Sequence, residues 1–178
     1  MLKPEKHIPP LDLARVRQDF PILQRKVHGR PLVYFDNGAT TQKPFIVIET
    51  LRKIYEEDNS SIHRGVHYLS ERATEAYETS RKTVQDFIGA ARPHEIIFTS
   101  GATGSINAVA ASFSEKFIRQ GDEILVTAME HHANLVPWQI VCERKQARLR
   151  HIPINGAGEL DLSMLDKLLS PKTRLLAI

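Results

Sequence analysis

The chain has 178 residues, of which 42% are hydrophobic and 25% charged, a composition typical of a globular protein that buries a substantial core. Its net charge of +3 is small and not gathered into a tract, which gives little support for nucleic-acid binding. No apolar run is long enough to span a bilayer, and the first residues lack the apolar centre of a secretory signal. The single cysteine, Cys142, excludes an internal disulfide and suits a reducing compartment. We therefore expect a soluble cytoplasmic protein without a membrane anchor.

The first half of the chain is predicted to hold a tail, one strand and three helices. Residues 1–10 carry three prolines and no periodicity, which indicates a tail. Asp12 can cap a short helix that runs to Gln18. The later predicted elements are a strand at 32–35 and helices at 44–58 and 70–88, the last of which is stopped by Gly89.

Strands and helices alternate in the second half of the chain. Strands are predicted at 95–98, 124–127, 149–154 and 174–178. The helices between them are one that carries Ile106 and Ala110 on its apolar face and is ended by Gly121, one with Pro137 in its first turn, and a short one at 160–169. This alternation predicts an α/β fold with an open parallel sheet, in which ligands bind at the C-terminal ends of the strands.

Residues 99–107 lie between a predicted strand and the start of a predicted helix. A helix N-terminus has unpaired N–H groups and partial positive charge, which suit an anion such as a phosphate. Gly101 lets the backbone approach that anion closely, and the hydroxyls of Ser100, Thr103 and Ser105 can add hydrogen bonds. A capped helix with no ligand is the alternative interpretation.

Three further stretches are candidate sites. Residues 36–41 form a turn of small and polar residues that a ligand can approach closely. The polar loop at 59–67 holds two histidines around Arg64, whose guanidinium can pair with a carboxylate or phosphate in a fork; two histidines alone are too few for a metal site. His131 follows a strand and is either a helix-capping histidine or a ring that stacks on a cofactor and passes protons. Cys142 is expected to be a core thiol.

Two cofactor chemistries use a phosphate cup at a strand-to-helix turn. Residues 101–107 match a G-x-x-G-x-x-G dinucleotide-binding variant at two of its three glycines, since the third position is Asn107. Pyridoxal phosphate instead needs a phosphate cup and a flat partner for its ring, and the turn at Gly101 together with His131 supplies both.

Four motifs, in this order, closely resemble the N-terminal part of the SufS-type (group II) cysteine desulfurases. This group and the related selenocysteine lyases belong to the class V aminotransferases. The resemblance runs from about Val16 to Ile178 and is most specific in the last motif. The motifs are DNGATTQKP at 36–44, HRGVH at 63–67, TSGAT at 99–103 and MEHHANLVPW at 129–138.

The resemblance implies a role for eight residues. Ala102 and Thr103 would bind the cofactor phosphate, and His131 would stack on the pyridoxal ring and act in catalysis. His132 is not expected to face the cofactor, because neighbouring residues at a strand end point in opposite directions. The chain departs from the family at Gly104, a place often held by Glu. The residues expected to border the substrate pocket are Asn37, Gly38, Ala39, His63 and Arg64.

The implied protein is a homodimeric enzyme with pyridoxal 5′-phosphate as its cofactor. It would convert L-cysteine, or L-selenocysteine, to alanine. The sulfur would be held as an enzyme persulfide and passed to a sulfur-acceptor protein of iron–sulfur cluster assembly. The implied fold is the large domain of the fold type I pyridoxal phosphate-dependent transferases, a mostly parallel sheet flanked by helices.

The same resemblance implies that the chain is incomplete. In the family the Schiff-base lysine, the aspartate facing the pyridine nitrogen and the persulfide cysteine come later in sequence. We therefore expect residues 1–30 to be a tail with a short helix. Residues 31–178 would be the N-terminal part of the large domain, inactive alone and with a gap in its sheet. The alternatives are a fragment of a nucleotide (NAD/NADP)-binding oxidoreductase and a non-catalytic dimerisation module.

Overall fold

The computed structural model of the protein describes residues 10–178, and the predicted tail lies outside this range except for Pro10. The chain divides between Ile96 and Ile97 into two compact units. The described part of the first unit contains helices α1 (Leu13–Gln18), α2 (Phe45–Lys53) and α3 (Tyr68–Ile88), with the short strands β1 (Lys26–Val27) and β2 (Arg30–Pro31). A π-helical segment, Ile54–Asp58, continues α2, and 3₁₀ turns lie at Pro21–Gln24 and Pro93–Glu95.

Capping residues mark the start of α1 and the end of α3, as the sequence predicts. The Asp12 carboxylate accepts the N–H of Arg15 at 3.1 Å, which confirms the predicted cap of α1. Helix α3 ends at Gly89, whose φ of 70° lies in the left-handed region that glycine favours. Its first residue precedes the predicted one by two positions, because His67 Nδ1 accepts the N–H of Ser70.

The strand predicted at 32–35 is wrong. The chain instead pairs β1 with β2 in an antiparallel hairpin, with His28 and Gly29 both at positive φ in the turn. After Pro31 the chain has no strand neighbour among the described residues. The Tyr34 hydroxyl donates to the carbonyl of Thr40 at 2.7 Å, so this segment is tied to the following turn. Apolar, β-branched sequence predicts extension, but a neighbour is needed to make a strand.

The strand predicted at 95–98 is also wrong. Pro93–Glu95 forms a 3₁₀ turn, and Ile96 is extended, but residues 96–98 pair with no strand of the described chain. The carbonyl of Ile96 accepts a hydrogen bond from the Arg81 guanidinium at 2.5 Å. A side chain therefore takes the place that a neighbouring strand would have.

The second unit is built on a parallel sheet of β3 (Glu123–Thr127), β4 (Arg148–Ile152) and β5 (Thr173–Ala177), with β3 in the centre. Ile124 is in register with Leu149 on one side and Leu175 on the other. The helices are α4 (Ala102–Phe117), α5 (Val136–Lys145) and α6 (Leu165–Leu168), and 3₁₀ turns lie at His132–Asn134 and Leu162–Met164. These elements confirm the predicted α/β class and the three later strands.

The core of the second unit lies between the central strand and helices α4 and α5. Every residue of β3 is buried, as its unbroken apolar run predicts for a central parallel strand. Helix α4 ends at Phe117, earlier than the predicted stop at Gly121. Within the described range, no helix is long and apolar enough to cross a membrane. The buried core residues are Ala110, Ile118, Ile124, Val126, Trp138, Val141, Cys142 and Ala177.

Two buried acids tie the three strands together where β3 begins. Asp122 accepts a hydrogen bond from Arg174 at 3.1 Å. The Glu123 carboxylate accepts one from the Ser170 hydroxyl at 2.7 Å and one from Arg150 at 3.3 Å. The Ser170 hydrogen bond lowers the pKa of Glu123; burial acts in the opposite direction, and Arg150 adds to the lowering. Ionised Glu123 therefore stabilises the fold above its ordinary pKa of 4.5, and this stabilisation is lost as the pH falls below it.

We expect Glu123→Gln to lower the free energy of unfolding at about pH 7 and to have a smaller effect at about pH 3, because acid protonates the wild-type carboxylate and removes its advantage over the amide. Urea unfolding followed by the fluorescence of Trp138, the single tryptophan, measures both values. Glu143→Gln, at an exposed position of α5, is the matched control and should show no such pH dependence. An equal loss of stability at both pH values would contradict the role of the ionised carboxylate.

Candidate functional site

Helix α4 begins with exposed backbone in its first turn. Gly101 is the residue before the helix and has a φ of 142°, within the region that favours glycine. It has no side chain with which to cap the helix, and no acidic residue lies in the first turn. The first N–H groups of a helix have no partner inside it, and the helix dipole adds partial positive charge there. The backbone at Ala102 and Thr103 can therefore receive an anion.

A pair of hydroxyl groups fixes the turn before α4. The oxygens of Thr99 and Ser105 lie 2.6 Å apart, and the Thr99 hydroxyl also donates to the carbonyl of Gly101 at 3.0 Å. Ser105 was a predicted anion ligand, but its hydroxyl supports the turn instead. Within residues 10–178 the hydroxyls of Ser100 and Thr103 have no hydrogen-bond partner, so both can bind a ligand.

The position of Gly104, in the first turn of α4, has little room for a side chain. A β-carbon at this position would lie 3.0 Å from the Ser100 hydroxyl oxygen, closer than ordinary van der Waals contact. Any larger residue would require Ser100 to move by a few tenths of an ångström. Glycine therefore allows the Ser100 hydroxyl to lie against the first turn of α4.

The second part of the site is the loop that follows β3. His131 lies in this loop, and its Nδ1 accepts the N–H of Ala133 at 3.1 Å. His131 therefore caps the 3₁₀ turn His132–Asn134 while its ring stays exposed. A neutral imidazole that accepts at Nδ1 carries its proton on Nε2. The free face and Nε2 of this ring can stack on a flat ligand or move a proton.

The sequence favours His131 over His132 for a reason that does not hold in the structure. That reason assumed strand alternation, but β3 ends at Thr127, four residues before His131. The two rings do point differently: their planes are at 88° and their centroids are 6.1 Å apart. The choice between the two histidines remains a prediction.

A hydrogen-bonded network that the sequence analysis missed holds this loop. Thr127 and Asn134 both donate to the Glu130 carboxylate, and the Trp138 indole N–H donates to Asn134. The polar side chains follow the strand at spacings of three and four residues. Such spacing brings side chains together only where the chain is helical, and residues 128–131 are not, so the sequence held no local signal for this network.

Helix α4 and the His131 loop belong to the same unit and touch each other. Helix α4 contacts the 3₁₀ turn His132–Asn134, and Ile106 and Leu135 pack against the same buried core. The second unit thus brings together the elements that carry Ala102, Thr103 and His131.

The predicted substrate-pocket residues lie in the first unit. Asn37, Gly38 and Ala39 form one exposed turn, closed by the N–H of Thr40 donating to the carbonyl of Asp36 at 3.0 Å. The carbonyl of Asn37 also accepts the Thr41 hydroxyl at 3.0 Å. The predicted turn is therefore present, with small residues at its exposed tip.

The loop before α3 holds His63 firmly and leaves Arg64 available. His63 has a φ of 59°; its N–H donates to the Thr74 hydroxyl at 3.0 Å, and its Nε2 lies 3.0 Å from a Glu78 oxygen. Arg64 is exposed and has no ion pair within residues 10–178. His67 caps α3, which is a structural role. Of this loop, Arg64 is the side chain that can bind an anionic ligand.

Cys142 is a core residue, as predicted. It lies in α5 and is 7% exposed. Burial raises the pKa of its thiol to about 11, so almost none of it is the reactive thiolate at neutral pH. Among residues 10–178, no group of three histidine, cysteine or acidic side chains is arranged to hold a metal ion.

Comparison with known proteins identifies relatives over almost the whole chain. Residues 33–178 match the family Aminotransferase class-V. A protein of Mycobacterium leprae named probable cysteine desulfurase 1 is 50% identical over 166 residues, which are 93% of this chain and 27% of that protein. A cysteine desulfurase of Synechococcus elongatus is 48% identical, over 93% of this chain and 26% of its own length.

A solved structure supports the same relationship. The apo cysteine desulfurase of Thermococcus onnurineus superposes with a TM-score of 0.81 at 38% identity, over 92% of this chain and 39% of that one. The chain thus spans less than half the length of these relatives.

We expect Cys142 to be unreactive toward a thiol reagent such as 5,5′-dithiobis(2-nitrobenzoate) at about pH 8, because the thiol is buried and protonated. The same protein in urea should release one equivalent of chromophore, which serves as the internal control. Rapid reaction of the folded protein would contradict the assignment of Cys142 to the core.

Proposed function

The chain belongs to the aminotransferase class-V family, and we propose that it is the N-terminal part of a pyridoxal phosphate-dependent cysteine desulfurase. The complete enzyme removes sulfur from L-cysteine, leaves L-alanine and holds the sulfur as an enzyme-bound persulfide. We propose that it works as a cytoplasmic homodimer and passes the sulfur to an acceptor protein of iron–sulfur cluster assembly. L-Selenocysteine is the alternative substrate. Residues 31–178 are proposed to be the N-terminal part of the cofactor-binding domain.

The observation that carries this proposal is the pair of elements in the second unit. Helix α4 starts with exposed backbone, beside two hydroxyl groups that have no hydrogen-bond partner among the described residues. The same helix contacts the 3₁₀ turn that His131 caps. A phosphate and a flat aromatic ring are the two parts of pyridoxal phosphate that a protein must hold. The donors at the start of α4 suit the phosphate, and the exposed imidazole suits the ring.

We propose that the phosphate is bound by the backbone N–H groups of Ala102 and Thr103 and by the Thr103 hydroxyl. These donors are at a helix N-terminus, where the dipole favours a negative charge. The Ser100 hydroxyl lies against the same first turn, close to Gly104, and adds a further donor. Family membership favours this ligand over a dinucleotide, since residues 101–107 lack the third glycine of that fingerprint.

His131 is proposed to stack on the cofactor ring and to move a proton during sulfur release. Pyridoxal phosphate, when bound, supplies an electron sink for the bonds that break in the substrate. The proton on Nε2 of His131 is available for transfer, because Nδ1 is engaged by the N–H of Ala133. The chain thus supplies one acid–base group of the reaction.

The first unit is proposed to supply substrate contacts. Arg64 is exposed and unpaired among the described residues, and its planar guanidinium can bind the carboxylate of L-cysteine through two hydrogen bonds. The small residues Asn37, Gly38 and Ala39 let a ligand approach the backbone of their turn, and His63 is proposed to border the same pocket. The 178 residues alone are proposed to be inactive, because the core thiol of Cys142 is unsuited to carry sulfur.

We expect Thr103→Val to weaken pyridoxal phosphate binding by about 1–3 kcal/mol, the usual effect of losing a hydrogen bond to a charged group. The measurement is a cofactor titration of the protein expressed from its whole gene. Thr103→Ser keeps the hydroxyl and should bind almost as the wild type does. Thr79→Val, at an exposed position of α3, controls for the substitution itself. Unchanged affinity in Thr103→Val would remove Thr103 from the site.

We expect His131→Ala to slow alanine formation from L-cysteine by about 100-fold or more, as loss of a proton-transfer group does. His132→Ala is the neighbouring control and should have a milder effect, since the two rings point differently. The rates are measured in the protein expressed from its whole gene and saturated with cofactor. The reverse ranking would identify His132 as the functional histidine.

A further inference from the structure

The Glu130 side chain joins the two ends of the His131 loop. Its Oε1 accepts the hydroxyl of Thr127 at 2.6 Å, and its Oε2 accepts the side-chain amide of Asn134 at 2.8 Å. Both oxygens of one carboxylate are therefore used, one toward the end of β3 and one toward the start of α5. Hydrogen bonds to an ionised acceptor are stronger than those between neutral groups.

Both partners of Glu130 are anchored in the core of the second unit. Thr127 is 4% exposed and is the last residue of the central strand. Asn134 is held from its other side, because its Oδ1 accepts the indole N–H of Trp138 at 3.0 Å, and Trp138 is 2% exposed. The Trp138 hydrogen bond also fixes which way the Asn134 amide points, so its NH₂ group must face Glu130.

His131 lies between Thr127 and Asn134 in the sequence, so the fixed positions of these two residues limit how far it can move. Its carbonyl accepts the N–H of Asn134 at 2.8 Å, and its Nδ1 accepts the N–H of Ala133 at 3.1 Å. The position of both N–H groups depends on Asn134 staying in place. A loop that lost the Glu130 bridge would let Ala133 move away from Nδ1, and the imidazole proton would no longer be confined to Nε2.

We propose that Glu130 is a positioning residue that fixes the ring orientation and the Nε2–H tautomer of His131 through Asn134. This role rests on the proposed function of His131 toward the cofactor. Glu130 itself is not placed in contact with a substrate or cofactor. It affects the reaction by keeping Nε2 of His131 and its proton in one position, so that the imidazole is already oriented for proton transfer.

The first arm of the test needs no activity. Nitrogen-15 NMR of histidine-labelled protein at about pH 8 reports which imidazole nitrogen carries the proton. The His131 signals are identified by their absence from His131→Ala. We expect a single Nε2–H tautomer in the wild type and exchange between both tautomers in Glu130→Ala. Glu130→Gln should resemble the wild type, because its amide oxygen still accepts from Asn134. Glu143→Ala, at an exposed position of α5, is the matched control.

Asn134→Asp provides a second variant, should Glu130→Ala fail to fold. It keeps the acceptor for Trp138 but turns a carboxylate toward Glu130, so it should disturb the His131 tautomer in the same way. A stability loss alone would leave the tautomer unchanged at temperatures well below unfolding. Wild-type His131 signals in either folded variant would therefore overturn the proposal.

The second arm measures alanine formation by the protein expressed from its whole gene. We expect Glu130→Ala to lower kcat by about tenfold with KM for L-cysteine nearly unchanged, and Glu130→Gln to restore most of it. Full activity in His131→Ala would overturn the proposed role of His131 in the reaction. Positioning of His131 by Glu130 would then serve no catalytic purpose. Full activity in Glu130→Ala alone, with His131→Ala inactive, would overturn only the positioning role.

Discussion

Burial of β3 between β4 and β5 is the constraint on which the candidate site depends. The strand is parallel to both neighbours, and α4 and α5 pack on the same core as Ile124 and Val126, so pairing and packing together fix its register and direction. Its last residue, Thr127, therefore stands at a defined point of the sheet edge where ligands bind in open α/β folds. The loop that carries His131 starts from this fixed point.

The chemistry proposed for the second unit depends on two sets of hydrogen-bond donors whose positions are fixed by the fold. One is the start of α4, where Gly101 and Gly104 bring backbone and the Ser100 hydroxyl close to a prospective anion. The other is the His131 imidazole, whose tautomer is set by a backbone N–H. Hydrogen bonds hold the turn before α4 and the His131 ring, and groups held in this way bind with little ordering cost.

The parts of the fold that could be predicted from the sequence are of two kinds. They are helix ends marked by a capping residue and strands whose apolar run indicates full burial. Strands β3 and β5 carry apolar runs, and Asp12 and Gly89 mark helix ends through local chemistry. The strands at 32–35 and 95–98 were wrong because strand formation depends on a neighbour, which local sequence does not specify. Local sequence made the start of α4, Arg64 and His131 candidates, and the motif resemblance assigned their roles. The bridge at Glu130 was missed because its partners are defined by folding, through the distance between Thr127 and Asn134.

The most direct test of the central claim is a crystal structure, with pyridoxal phosphate bound, of the protein expressed from its whole gene. We expect the phosphate oxygens to lie within hydrogen-bond distance of the N–H groups of Ala102 and Thr103, about 2.7–3.2 Å. We also expect the exposed face of the His131 ring to be the one that meets the cofactor. A cofactor phosphate bound away from the start of α4, or a pyridine ring stacked on another side chain, would contradict the proposed roles of Thr103 and His131.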